Sequence, residues 1–249
     1  TEGKSATGEL HMPEKASRSN QQAFTICFAI DHNEGENHTI DQPREYNFWK
    51  SFVPEITPPW PGRLLDFNYT HPSSGLSKRL GFNPTGPHKK GIINLWTYRR
   101  ILAAKNFLPE SGLKDISLIN WPQNDYLLGN LVDVARDEQK KQIARAKQLS
   151  LSLLYWLQTE APRDDGRQGW PGLRLRSDIM GTSDGLAKYP YVRESRRIKA
   201  LTTILEQHCG VKNRMQIKGL SDAKGLRAKR YPDSVGIGHY QIDLHPSSG

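Results

Sequence analysis

Four polar side chains near the end of the chain are spaced so that they could act together. Residues 234–245 alternate as a strand does. His239, Gln241, Asp243 and His245 therefore fall on one face, with Gly236, Gly238, Tyr240, Ile242 and Leu244 on the other. Imidazole titrates near neutral pH and suits proton transfer. A carboxylate between two imidazoles is also a set of metal-ligand types. The pattern fits three arrangements: a solvated face, a metal site of His239, Asp243 and His245, or a strand facing a ligand. Gly236 and Gly238 permit close backbone approach, which favours a ligand or a neighbouring strand.

A second group lies at residues 191–197, where Arg193, Arg196 and Arg197 fall within five positions. Guanidinium groups grip phosphate or carboxylate bidentately. Glu194 can pair with any of the three, so an ion-pair network is the competing reading. Other chemistries lack their residues. Gly236-Ile-Gly238 starts a dinucleotide fingerprint, but Gln241 stands where its third glycine belongs. No P-loop, zinc-type cysteine cluster or nucleophile elbow is present. The two cysteines, Cys27 and Cys209, allow one bridge at most, and Cys27 sits in an apolar run that predicts a buried thiol.

The elements that must position these groups are mixed α and β. Residues 23–30 alternate large and small side chains and predict a strand. Strands are also predicted at 91–102, 117–121 and 234–245. Residues 137–157 carry Ile143, Ala146, Leu149, Leu153 and Trp156 at helical spacing, with Asp137 as the expected cap and an apolar, buried second half. Proline and glycine make 52–62, 71–90 and 162–185 loops. Residues 198–205 fit strand or helix equally. The strands are not regularly separated by helices, which argues against a complete doubly wound sheet.

The chain has 249 residues, 36% of them apolar, and a net charge of +9. It is long enough for one large domain or two small ones. No apolar run approaches the length of a membrane helix, and no signal-peptide pattern opens the chain. Residues 196–230 hold ten Lys or Arg against two acids, a patch that attracts phosphates of any kind. That stretch contains no Phe, Trp or Tyr, so it lacks the stacking platforms of a single-strand nucleic-acid binder. A basic anion- or nucleic-acid-binding module without catalytic activity is the alternative function, and no nucleic acid or membrane partner is expected.

Three blocks carry a resemblance. Residues 150–160 read SLSLLYWLQTE, residues 163–198 contain GTSDGLAKYPYVRESRRI, and residues 233–245 read DSVGIGHYQIDLH. Together with TGE at 7–9 and QAFTICFAID at 22–31, in this order, they resemble the bacterial FAD-dependent oxidoreductases whose cofactor fold is like that of glutathione reductase. The resemblance implies an α/β (mixed α+β) fold of the FAD/NAD(P)-binding type, with a mixed sheet, one long helix and long loops. It implies FAD as cofactor and hydride or electron transfer between flavin and an organic substrate that the residues do not select. It implies that Arg193, Ser195, Arg196 and Asp243 face the cofactor, and that His239 and His245 serve as proton donors or acceptors.

Members of such a family hold the FAD pyrophosphate on a glycine-rich turn. With no such turn here, residues 1–249 are expected to be an interior part of the flavoprotein: the substrate-side region plus strands returning to the FAD domain. The Thr1 start and the Ser247-Ser248-Gly249 end read as cut ends, and the piece alone is expected to be inactive.

Overall fold

A computed structural model of the chain describes residues 21–71, 74–86, 89–193 and 200–236, with Gly238 and His245. The strands are β1 (Phe24–Thr25), β2 (Phe28–His32), β3 (Asn68–Thr70), β4 (Ser77–Arg79), β5 (Arg100–Leu102), β6 (Ile116–Ile119), β7 (Asp125–Tyr126), β8 (Leu173–Leu175) and β9 (Tyr191–Val192). The helices are α1 (Tyr46–Ser51), α2 (Leu95–Tyr98), α3 (Arg136–Thr159), α4 (Ser177–Met180), α5 (Glu206–Cys209) and α6 (Val211–Lys218). Mixed α and β architecture with one long helix and long loops is what the structure shows. Every ladder between these strands is antiparallel.

The central sheet has the order β5-β6-β2-β8, and a smaller one the order β7-β1-β9. Residues 23–30 were expected as one strand; they form two, each in a different sheet. The break has a visible cause. The carbonyl of Ile26 accepts hydrogen bonds from the side chains of Ser150 (2.6 Å) and Asn124 (3.2 Å), so it is not free to bond to a neighbouring strand. Phe28, Ala29 and Ile30 are fully buried, so β2 is covered on both faces rather than half-exposed.

Helix α3 spans 24 residues and packs against α1 and the turn at Pro122–Asn124. Its second half is buried as expected, through Leu149, Leu153, Leu154, Trp156 and Leu157. Gln158 ties it to the rest by donating to the carbonyls of His38 (2.7 Å) and Leu173 (2.8 Å). Asp137 does not cap it. Ala135 holds the cap position without a side-chain bond, and Asp137 lies in the first turn, where its charge favours the helix dipole.

Of the predicted strand at 91–102, Leu95–Tyr98 is helix and Arg100–Leu102 strand. Asn94 caps α2 by accepting from the Trp96 amide at 3.1 Å, and it is itself fixed to Asn83. Capping chemistry here overrides the strand propensity of the apolar run, and only β5 remains extended. Residues 162–185 were expected to be loop but contain β8 and α4. β8 can lie against the β2 end because Gly172 has no side chain: a Cβ there would stand 2.2 Å from the Asn33 carbonyl oxygen. Residues 71–90, likewise expected as loop, include β4.

Residues 200–205 are neither strand nor helix; the helical structure begins at Glu206. Ser234, Val235 and Gly236 are not in a strand, and nearly all of the rest of the predicted final strand lies outside the described residues. Cys27 is buried and Cys209 exposed, both as free thiols. Among the described residues no helix is long and apolar enough to cross a membrane.

Candidate functional site

The small sheet β7-β1-β9 builds the site. Its register places Asp125 and Tyr191 on opposite sides of Thr25. Arg193 follows β9, and its side chain crosses β1 to reach β7. Its Nη2 donates to Asp125 Oδ1 at 2.9 Å, and its Nη1 donates to the Ala23 carbonyl (2.9 Å) and to Thr25 Oγ1 (3.2 Å). Thr25 Oγ1 donates in turn to Asp125 Oδ1 at 2.5 Å. Charge and hydrogen bonding are matched in a nearly dry place: the Arg193 and Asp125 side chains are 6% and 12% exposed. Arg193 is thus paired with Asp125, reached from across the sheet.

Beside this pair is a cavity of about 250 Å³. Its floor includes Asn120, Trp121 and Asp125, from the segment that follows β6. Trp60, Tyr69 and Tyr98 supply aromatic surface, and Arg99, His71 and His245 supply nitrogen groups. Burial, with Tyr98 adding a smaller push, holds the Tyr69 phenol above its ordinary pKa, so it is a neutral donor. Three buried polar atoms on residues lining the cavity have no hydrogen-bond partner among the described residues: Asn120 Oδ1, Trp121 Nε1 and Arg193 Nε. Folded proteins rarely leave such atoms without a partner, and a bound ligand or ordered water is the usual explanation.

The structure thus brings two of the sequence-predicted site residues, Arg193 and His245, to one cavity. Ser195, Arg196, His239 and Asp243 lie outside the described residues. Among the described residues no group of three or more His, Cys, Asp or Glu could hold a metal ion.

Comparison with known proteins gives one result. Residues 4–249 match the FAD dependent oxidoreductase family. The chain belongs to that family. No curated protein and no solved structure matches it. The FAD-dependent oxidoreductase is therefore a flavoprotein with FAD as its cofactor. The alternative of a non-catalytic anion- or nucleic-acid-binding module gains no support from the match.

The cavity fits part of that cofactor. Aromatic walls suit a planar heteroaromatic ring. A volume of about 250 Å³ lies below the roughly 300–1,000 Å³ of pockets for whole drug-sized ligands, so it holds one end of a dinucleotide at most. The sequence contains no glycine-rich fingerprint for the phosphates.

Sequence reasoning missed most of this flavoprotein's cavity. Asn120, Trp121 and Asp125 sit in a short run, Trp121-Pro122-Gln123-Asn124-Asp125, directly after the apolar β6. That density of indole, amide and carboxylate groups at a strand's end was the available signal. Trp60, Tyr69, Tyr98 and Arg99 lie in tracts dominated by proline, glycine or apolar residues and carried none.

Proposed function

We propose that this cavity is where an organic substrate and the flavin ring meet for hydride or electron transfer. The observation that carries the reading is that Arg193 and His245, 52 positions apart in the chain, line one cavity whose walls include Trp60, Tyr69, Tyr98 and Trp121. FAD, when bound, supplies the redox-active ring. Arg193, held rigidly by Asp125 and Thr25, fixes one edge of what binds there. His245 takes or gives the proton that accompanies transfer. Residues 1–249 act as the substrate-side region, with strands such as β1 and β9 joining it to the cofactor fold. His239, Ser195, Arg196 and Asp243 are proposed to serve the same site.

The test is anaerobic reduction of FAD-loaded protein by a panel of small alcohols, amines, acids and reduced nicotinamides, followed at the visible flavin band. One class is expected to bleach the flavin. His245→Ala is expected to slow that reduction on the order of a hundredfold while the fold survives. Wild-type reduction rates at full flavin occupancy would remove His245 from the chemistry.

A further inference from the structure

We propose that the cavity takes its organic substrate by a single carboxylate group, held by Arg99 with the phenols of Tyr98 and Tyr69; this rests on the cavity being the place where substrate and flavin meet. The charges of the lining carry the inference. Among the described residues Asp125 is its one carboxylate, and Arg99 and Arg193 are its two arginines. Asp125 is engaged by Arg193 at 2.9 Å and by Thr25. Arg99 makes no ion pair and no side-chain hydrogen bond among the described residues. With the imidazoles of His71 and His245 counted neutral, the lining is left with one positive charge, and it belongs to Arg99. A concave site with charge of one sign and apolar walls concentrates ligands of the opposite sign.

The surroundings of Arg99 make its charge usable. Its guanidinium lies over the Tyr98 ring, 5.2 Å from the centroid. A guanidinium stacked by its face keeps the N–H groups along its edge, and these match the two oxygens of a carboxylate. Burial and Asp125 push the Cys27 thiol up, while Arg193 and Arg99 pull it down, so these three charges lie close enough together to act on one buried atom. Burial, and to a lesser degree the neighbouring Tyr98, raise the Tyr69 phenol, which puts the two hydroxyls in reach of each other. Neither phenol makes a hydrogen bond among the described residues. A carboxylate has lone pairs enough to accept from a guanidinium and from hydroxyls at once.

One uncompensated cation sets the charge of the ligand. A phosphate dianion or a dicarboxylate brings more negative charge than the lining can answer, and a neutral alcohol leaves Arg99 unanswered. Asp125 does not bar an anion, because Arg193 already neutralises it. Ile56, Trp60, Pro122 and Leu127 give the rest of the ligand apolar walls, and a volume of about 250 Å³ keeps it small. The substrate class is thus a small organic monocarboxylate with an apolar or aromatic body. The receptor is mounted on the framework of the fold: the Arg99 carbonyl accepts from the Leu118 amide of β6 at 3.0 Å, Tyr98 closes α2, and Tyr69 belongs to β3.

The experiment titrates the full chain with benzoate, benzamide and phenyl phosphate. Tryptophan fluorescence is read without added FAD, and the visible flavin band with it. Trp60 and Trp121 line the cavity and report its filling. Benzoate is expected to bind about tenfold or more tighter than benzamide, and to shift the flavin band. Phenyl phosphate is expected to bind no tighter than benzoate. Arg99→Gln is expected to remove the preference for benzoate and Arg99→Lys to keep part of it, both at the wild-type unfolding midpoint, because Arg99 is exposed. Should Arg99→Gln fail to fold, Tyr98→Phe removes one donor and keeps the ring, and it is expected to weaken benzoate more than benzamide. Equal affinity for benzoate and benzamide, or undiminished benzoate binding in Arg99→Gln, would overturn the proposal. If benzamide then shifted the flavin band, the cavity would stand as the reaction site of a neutral substrate. Arg99-dependent binding of benzoate that left the flavin band unmoved would overturn both the substrate class and the reading of the cavity as the reaction site. Tighter binding of phenyl phosphate than of benzoate would assign Arg99 to a phosphate and likewise overturn the monocarboxylate.

Discussion

Replacing Arg193 with Met should show whether this side chain grips a ligand or holds the sheet together. The structure predicts that it first holds the sheet. Arg193 links three strands: it follows β9, bonds to Ala23 and Thr25 around β1, and pairs with Asp125 of β7. Removing one partner of a buried ion pair typically costs about 3–5 kcal/mol, because the other charge is left uncompensated. Asp125 is 12% exposed and keeps its hydrogen bond from Thr25, which puts the expected loss near the lower end, about 3 kcal/mol. With a urea slope of about 3 kcal/mol per molar, the unfolding midpoint should fall by about 1 M. Asp125→Asn should cost a comparable amount. The double variant should cost about 1.5 kcal/mol or more less than the sum of the singles, because the pair is one unit. Urea unfolding of the four proteins in a double-mutant cycle measures this. Additivity within about 0.5 kcal/mol, or a single-variant loss below that, would refute the claim that the pair is buried and coupled.

Two further predictions concern titratable groups. Burial raises the Asp31 carboxyl, but hydrogen bonds and charge from Arg174 and Arg176 outweigh it and hold the group below its ordinary pKa. A depressed folded pKa contributes stability above the unfolded value of about 3.9, and that stability is lost as pH falls through the lower folded value. Acid unfolding should therefore be steeper below about pH 4 in the wild type than in Asp31→Asn, and equal slopes would contradict the pairing. Burial, with a smaller push from Asp125, raises the Cys27 thiol to about 11, whereas Cys209 is exposed. Iodoacetamide at neutral pH should modify Cys209 and spare Cys27 in the native protein, as read by peptide mass, and labelling of Cys27 without unfolding would be inconsistent with its burial.

What the sequence revealed depended on how local the signal was. Helix α3 was readable because its apolar residues recur over many turns, and its buried half was readable because it is apolar all round. Strand β2 was readable by alternation, but the split from β1 was not, since it depends on Ser150 and Asn124 reaching the Ile26 carbonyl from far along the chain. Strand β8 escaped notice because three residues in a glycine- and arginine-rich tract carry no period; only its pairing with β2 makes it a strand. Arg193 stood out by type, yet its partner Asp125 lies 68 positions away and nothing local pointed to it.

The central claim is that flavin binds in the cavity beside Arg193. FAD carrying a photoreactive azido group on its benzenoid ring, irradiated with the protein and mapped by peptide mass spectrometry, locates it directly. Label on peptides spanning 56–71 or 120–127, which line the cavity, is the predicted result. Label concentrated in the basic stretch 200–230, with the cavity peptides unmodified, would contradict the account.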